Sequence, residues 1–497
     1  MTSVLSKSSF IAGQQCEKLL WFVSHGVKSS QDIDDSTKDR LKAGEKVGNL
    51  AKEIFPSGIE IDFEDDIAKM TTKTNDAIVA NKTIYEATFL IDDILIRVDL
   101  MTKTDDGWNM YEVKSSSTLK SYHKDDASFQ WYALSKVPDL KMNKAFVITI
   151  DGNFIKGGKI NLKSFFHQTD LTDYANEKIA EMPSRIEAMR NTLKLEIEPN
   201  IEIGPQCSKP HVCQYKNDCW GINEGNSILN LYRLKSKDKF ELYHAGIRNI
   251  EQLPTDFKLS AIQKKQVTSI LKSKPIIDIE EIRNFIGLIK YPISYLDFET
   301  FQEAVPSFEN QKPYQQMPFQ FSLHVQHEPN GKLEHFQFIA KHGDDPRESI
   351  SNELLKNIPD DGTIISYNQS FEITCIKTLA ASNPDHQDEL LMLNERFLDL
   401  IIPFRKGYYY HPKFNGSFSI KSVLPALCPN EPELNYENLN ITNGGDASLI
   451  YKNLNIINVD DYDITLSDLY AYCRLDTLAM VKILEHLTSI NIENDEL

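Results

Sequence analysis

The chain contains no run of 18 or more apolar residues, the length a helix needs to cross a bilayer, so no membrane span is expected. Cysteine is scarce, at 7 in 497 residues, which excludes a secreted disulfide scaffold. Glycine and proline, at 21 each, are too few for a collagen-like or low-complexity chain. The opening stretch, Met1 to Phe10, lacks the apolar core of a signal peptide. These absences together predict a cytoplasmic protein with reduced thiols. Basic residues are the scarcer sign: 54 Lys and Arg against 72 Asp and Glu leave a formal charge of −18. Such a chain repels nucleic acid and anionic membrane overall. A polyanionic partner must be met by a local basic patch or through divalent metal ions.

What is present is globular: 41% apolar, 25% charged and 10% aromatic residues. At 497 residues the chain exceeds the roughly 250–300 at which one hydrophobic core stops growing, so two or three domains are expected.

The few cysteines are unevenly placed. Cys207, Cys213 and Cys219 fall in one polar segment, GPQCSKPHVCQYKNDCW, and Cys16 is the only cysteine upstream of them. Grouped soft thiolates suit zinc or an iron–sulfur cluster. Their C-x5-C-x5-C spacing is looser than the tight pairs usual for zinc.

Between Cys16 and Cys207 lies a first acidic centre. Ile94 to Leu100 reads as a strand, Asp105-Asp106-Gly107 as a turn and Trp108 to Lys114 as the next strand. Period-two alternation puts Glu112 and Lys114 on one face, where Glu112 can share a Mg2+ with Asp99. Lys114 can then orient a water against a phosphate. Tyr122 to Leu134 is a predicted helix carrying Gln130 and Tyr132, followed by a strand, Ala145 to Ile150.

This order of elements, with one cysteine before it and three after, resembles the PD-(D/E)XK nucleases of the RecB type. It is similar in particular to the iron–sulfur branch that includes AddB and the CRISPR spacer-acquisition exonucleases. The resemblance covers residues 1–220. It implies that Cys16, Cys207, Cys213 and Cys219 hold a [4Fe–4S] cluster stapling the ends of the domain. It further implies that Asp99, Glu112 and Lys114 are catalytic, with Gln130 supporting them. The family often adds a His or Glu metal ligand on its first helix. The Arg40 to Gly48 segment offers no His, leaving Glu45 or Glu86 as alternatives.

Residues 201–275 reverse the sign of the chain, with 12 Lys and Arg against 7 Asp and Glu. The apolar spacing predicts short helices there, and Gly-Ile-x-x-Ile-x-x-Leu-Pro resembles helix-hairpin-helix modules that grip phosphate backbones. Lys235, Lys237, Lys239 and Arg248 are the candidate phosphate contacts in this predicted linker, 221–284.

A second acidic centre follows. In the strand-like Tyr291 to Thr300, Asp297 and Glu299 are two apart and share a face. Gly362 to Glu372 reads as a strand entering a helix, with Asn368 and Glu372 near the helix start. Leu469 to Leu487 is helical, with Tyr472 and Asp476 at i and i+4. Acidic groups from three distant segments, converging on two metals, are what in-line phosphodiester hydrolysis requires.

The ordered set D-x-E, Y-N-x-x-F-E and Y-x-x-x-D-T resembles the DEDD family of 3′–5′ exonucleases, in its tyrosine-bearing subgroup, on the ribonuclease H-like fold. By that match Asp297, Glu299, Glu372 and Asp476 are the metal-binding acids and Tyr472 positions the attacking water. Gly416 to Pro425 reads like the loop and helix before the third motif. Glu372 stands where the family usually has Asp, and Asp399 is a nearby spare acid.

The expectation is an α/β multidomain chain. It places a PD-(D/E)XK iron–sulfur domain at 1–220, a basic helical linker at 221–284 and a DEDD-type domain at 285–497. The chemistry expected is Mg2+- or Mn2+-dependent hydrolysis of nucleic acid, DNA ahead of RNA, in repair or defence. Its rivals are a chain with one live centre, a silent nucleic-acid-binding adaptor, and a redox protein.

Overall fold

Alternating apolar residues in 84–150 and 293–339 are strand-forming, and both stretches fold into sheets covered by helices. The structure, a computed structural model, describes residues 4–30, 35–221 and 225–493. It is a mixed α/β protein of two compact units: Met1–Ile222 with Glu303–Gln315, and Asn223–Gln302 with Gln316–Leu497.

The first unit is built on a seven-stranded sheet. Its strands are β1 (Leu5–Ser6), β2 (Ile59–Glu60), β3 (Ile84–Ile91), β4 (Ile94–Thr104), β5 (Gly107–Val113), β6 (Met142–Ile150) and β7 (Phe166–Asp170). They run β2-β3-β4-β5-β6-β7, with β1 beside β4. The β3–β4 and β4–β5 pairs are antiparallel and β5–β6 is parallel. Leu100 pairs with Tyr111, and the next step of that register sets Asp99 opposite Glu112. Among the helices are α1 (Lys7–Gln15), α2 (Glu17–Ser24), α3 (Asp35–Lys52), α4 (Ile67–Val79) and α5 (Ser121–Leu134). Ser6 caps α1 by accepting from the Ser9 amide at 3.1 Å, and Phe10 of α1 stacks on Phe129 of α5 at 4.0 Å. That stack closes a core with Ile96, Val98 and Met110, each large apolar side chain contributing about 1.5–3 kcal/mol.

Glu303–Gln315 joins this unit although it lies between strands of the other. Ala304 and Val305 enter a core cluster with Ile148, Ile150 and Phe165. Lys156 pairs with Glu309 at 2.9 Å, and the Tyr314 hydroxyl donates to the Ser115 carbonyl.

The second unit carries β8 (Ile276–Ile277), β9 (Ile293–Phe301), β10 (Met317–Gln326), β11 (Leu333–Ile339), β12 (Thr363–Ser366), β13 (Phe397–Asp399) and β14 (Tyr409–Tyr410). Its five-stranded sheet runs β11-β10-β9-β12-β13; β8 and β14 form a separate pair. The β11–β10–β9 pairs are antiparallel, whereas β12 and β13 run parallel to β9. Gly362, at φ +83, lets β12 approach β9 closely, since a Cβ there would stand 2.0 Å from the Pro292 carbonyl oxygen. The helices used below are α6 (Ser236–His244), α7 (Ala261–Lys272), α8 (Ser370–Ser382), α9 (Ile420–Leu427) and α10 (Val459–Glu493). Leu296 and Phe298 of β9 sit in a core with Phe321, Leu323 and Ile376. Alternation turns Asp297 and Glu299 to the opposite face. There α10 covers the sheet: Gln320 donates to the Leu469 carbonyl at 2.8 Å, and Ser322 bonds Thr477 at 2.7 Å.

The basic stretch from Asn223 onward groups with this second unit. Gln266 of α7 donates to the Asn230 carbonyl at 2.9 Å, and Lys265 donates to the Gly407 carbonyl at 2.8 Å. Among the described residues, no helix is long and apolar enough to cross a membrane.

Candidate functional site

The D-x-E strand, the helix after β12 and the C-terminal helix meet at one point of the second unit. Asp297 and Glu299 come from β9, Glu372 from the first turn of α8, and Asp476 from α10. Glu299, Glu372 and Asp476 are buried. Asp297, Glu299 and Cys473 offer three ligand atoms within 4.8 Å of one another. Burial, then the Asp476, Glu299 and Glu372 carboxylates, hold Asp297 well above the usual carboxylate range. Burial and Asp476 do the same to Glu299. Glu372 is pushed by burial to about 8, and its Oε2 is buried without a hydrogen-bond partner. Burial also raises Asp476, to about 6, against hydrogen bonds from Tyr436 and Tyr472 and the charge of Lys421. Four carboxyls that burial and mutual repulsion hold toward the protonated form ionise together only beside a cation, and a cluster of carboxylate oxygens fits hard divalent ions.

Several members of this centre escaped the sequence reading. Tyr436, in a 3-10 turn, donates to Asp476 Oδ1 at 2.6 Å. Lys421 of α9 donates to the Tyr472 hydroxyl at 3.3 Å and to the Thr442 carbonyl. Its ammonium lies 5.0 Å and 5.2 Å from the rings of Tyr436 and Tyr472. Burial, then Asp476, raise the Tyr472 phenol far above its ordinary value, so the hydroxyl stays protonated and able to donate. A Cβ on Gly444 would lie 3.2 Å from Glu299 Oε2, so the chain there passes close against the acid. Asp399 is engaged elsewhere: its Oδ1 accepts from the amides of Asn368 at 2.8 Å and Ile401 at 3.1 Å.

In the first unit the expected acids also meet. The Glu112 Oε1 accepts from Lys114 at 2.6 Å and from Lys7 at 2.6 Å, and Gln130 donates to its Oε2 at 2.7 Å. Asp99 Oδ2 accepts the Val113 amide at 2.6 Å. Two residues not foreseen complete the cage. Asp126 of α5 takes Lys114 at 2.5 Å and Gln130 at 3.1 Å, and Lys7 stands 3.7 Å from it. Burial and then Glu112 push Asp99 up to about 7. Burial works to raise Glu112 too, but Lys114 and Lys7 outweigh it and hold the carboxyl far below its usual value. Burial opposes both ammoniums, yet Glu112 and Asp126 keep Lys7 and Lys114 above the ordinary lysine range.

Of the two alternatives for a further acid, Glu86 is the one near this cage. It stands opposite Asp99 in the β3–β4 register, at φ +59, with Arg97 Nε 3.3 Å from its Oε2. Burial raises it, and Lys7 and Glu112 are among the charges it feels. Glu45 is exposed on α3.

Cys16, Cys207, Cys213 and Cys219 line one cavity, with Phe22, Ile203 and Tyr215 among its walls. Cys16 caps the end of α1, so the helix that begins at Lys7 ends at this cavity. Burial raises the Cys213 and Cys219 thiols, and the neighbouring cysteines add to it. The Cys213 amide donates to the Cys207 carbonyl at 3.0 Å.

The four basic candidates differ in availability. Lys235 and Lys237 are exposed, Lys237 lying 3.8 Å from Glu241. Lys239 donates to the Leu229 carbonyl at 2.8 Å. Arg248 lies over the Tyr243 ring at 3.6 Å and donates to its carbonyl. After α6 the chain makes one 3-10 turn, Ile250–Gln252, before α7.

A family model described as a domain of unknown function, DUF2779, matches residues 294–419, the stretch bearing Asp297, Glu299 and Glu372. The chain is similar to "Uncharacterized protein UU173" of Ureaplasma parvum serovar 3, 27% identical over 387 residues, covering 70% of this chain and 52% of the relative. It is also similar to "Uncharacterized protein MG366 homolog" of Mycoplasma pneumoniae, 24% identical over 207 residues, covering 38% of this chain and 31% of the relative. The chain thus spans about half the length of the first relative and less of the second. No solved structure matches it.

Proposed function

We propose that the chain is a metal-dependent nuclease with a DEDD-type 3′–5′ exonuclease centre in its second unit and a RecB-like PD-(D/E)XK centre in its first. The observation that carries the reading is the meeting of Asp297, Glu299, Glu372 and Asp476 from β9, α8 and α10 beside Tyr472. The strand order β11-β10-β9-β12-β13, with three antiparallel strands and then two parallel to β9, is that expected of a ribonuclease H-like sheet. The β3–β4–β5–α5–β6 order supports a PD-(D/E)XK core in the same way.

In the second unit the four carboxylates would hold Mg2+ or Mn2+. When bound, such a pair supplies charge neutralisation and water activation for in-line displacement. Tyr472, kept protonated and bonded to Asp476 in this structure, would turn its one O–H from that acid to the attacking water and orient it once metals hold the carboxylates. Tyr436 holds Asp476 in place. Lys421 fixes the Tyr472 hydroxyl and adds positive charge where a phosphate would approach. In the first unit Asp99 and Glu112, with Glu86 within reach, are the oxygen donors. Lys114 faces the phosphate, and Gln130 orients Glu112.

The cysteine quartet would hold a [4Fe–4S] cluster joining the two ends of the first unit. What supports the reading is that all four cysteines line one cavity, with the loose C-x5-C-x5-C spacing of the last three.

A second reading, in which only the C-terminal centre cuts and the first unit binds nucleic acid, draws on Lys7. Its ammonium already neutralises Glu112 and Asp126. DNA is the favoured polymer in the first reading, and the second takes RNA or DNA. The test is incubation of the purified protein with end-labelled single- and double-stranded DNA and RNA, with Mg2+, Mn2+ or EDTA. Metal-dependent mononucleotide release supports the proposal. No degradation of any substrate with either metal overturns it.

A further inference from the structure

Cys473 has no part in the hydrolysis just described, yet it lies inside the acidic centre. It sits on α10 between Tyr472 and Asp476 and is fully buried. Its Sγ is 3.6 Å from Asp297 Oδ2, and the sulfur, Asp297 and Glu299 fall within one 4.8 Å group. A third element points into the same place. Glu372 is 2% exposed, its Oε2 lacks a hydrogen-bond partner, and its charge reaches Asp297. A buried acid with one oxygen lacking a donor, near two further carboxylates and a thiol, describes a cation site with one soft ligand.

We propose that Cys473 is a metal ligand of this centre, making with Asp297 and Glu299 a mixed sulfur–oxygen site for a thiophilic divalent cation such as Zn2+, Co2+ or Cd2+. The proposal rests on reading the centre as a cation site, and not on hydrolysis. Mg2+ takes hard oxygen ligands and has no use for the sulfur, whereas Zn2+ and Co2+ gain a thiolate bond there. On binding, the sulfur–hydrogen bond breaks, the sulfur's electron pair goes to the metal, and the proton leaves to solvent; no redox change is involved. Zn2+ therefore outcompetes Mg2+ at the centre and holds the carboxylates in a geometry set by the sulfur. A second buried thiol, Cys375 of α8, feels Glu372, Asp297 and Glu299 but lies outside the three-ligand group, which makes it the internal control.

The experiment is a Co2+ titration of the full chain followed by thiolate-to-cobalt charge transfer in the near ultraviolet. Wild type, Cys473→Ser, Cys375→Ser and Asp297→Asn are compared as difference spectra, which cancels any contribution from the four-cysteine cavity. The expected result is a band present in wild type and Cys375→Ser and lost in Cys473→Ser and Asp297→Asn. The Cys473→Ser variant also loses tenfold or more in Zn2+ affinity, roughly the least that losing a direct ligand costs. Identical titrations for wild type and Cys473→Ser overturn the proposal. A second measurement needs no variant: cadmium-113 resonance of the wild type should give a signal in the mixed sulfur–oxygen range, and an all-oxygen signal alone overturns it. A protein that degrades DNA with Mg2+ but lacks the Cys473-dependent band loses this proposal and keeps the nuclease; one with the band that cuts nothing does the reverse.

Discussion

Tyr436 places its hydroxyl 2.6 Å from the carboxylate of Asp476, forty positions further along the chain. The bond favours the charged form of an acid that burial raises to about 6. Tyr436→Phe removes a hydrogen bond to a charged group, worth about 1.5–3 kcal/mol, or roughly ten- to hundredfold in binding. Mn2+ affinity measured by calorimetry should fall by that factor near pH 6. The loss should shrink as pH rises, because a proton then competes less with the metal.

Asp297→Ala, made in an Asp99→Ala background, should lose metal binding and 3′-end mononucleotide release together, by several orders of magnitude. Tyr472→Phe removes one hydroxyl and should keep the metals while slowing hydrolysis more mildly. Glu372→Asp should be tolerated. Mononucleotide release from the 3′ end of a 3′-labelled strand that survives Asp297→Ala would refute the assignment.

Asp99→Ala or Lys114→Ala should abolish a nuclease activity distinct from the C-terminal one while thermal melting still shows a folded protein. Lys7→Ala leaves Glu112 with one ammonium in place of two, so the Glu112 carboxyl rises toward its ordinary range. If Asp99→Ala and Lys114→Ala both cut every substrate like wild type, the first centre has no part in hydrolysis and the one-centre reading stands.

Purified without oxygen, the protein should be brown, with broad absorbance near about 400 nm. Cys213→Ala should bleach it and lower the melting temperature of the first unit, since the cavity joins α1 to the 207–219 segment. A colourless wild type containing stoichiometric zinc sinks the iron assignment.

His324 and His335 stack at 4.3 Å on the sheet beneath α10, with Arg474 nearby. Burial, with neighbouring positive charge, depresses them to about 3 and about 4. The unfolded chain takes up these protons near pH 6.5 and the folded one does not, so stability is full above about 6.5 and declines as pH falls toward 4. Between pH 5 and 7 the melting temperature of His324→Gln should fall less on acidification than that of wild type, His335 keeping its own share of the loss. Parallel curves for the two would remove the pair from the acid response.

The parts of this molecule that obey a local period were legible in advance. Strand alternation located Asp297 with Glu299 and Glu112 with Lys114, and helical spacing located Tyr472 with Asp476. Asp126 was within reach of the same logic, standing one helical turn before Gln130. Lys7 was not: it meets Glu112 across 105 positions through the packing of α1 on α5, and no spacing encodes that. Tyr436 sits in a 3-10 turn, where aromatic residues carry no period, and Lys421 acquires its role only from where α9 packs. The basic stretch showed its charge but not its attachments, because Lys239 and Arg248 are engaged by carbonyls and a ring that lie nearby in space.

The excursion Glu303–Gln315 bears on how this chain is inherited. The backbone passes between its two units three times, at 222/223, 302/303 and 315/316. A gene split at the first of these would encode a leading half missing Ala304 and Val305 from its core and a trailing half carrying them with nothing to pack on. Thirteen residues that lie between strands of the second unit complete the core of the first, so dividing the chain at 222/223 should lower the melting temperature of the leading half.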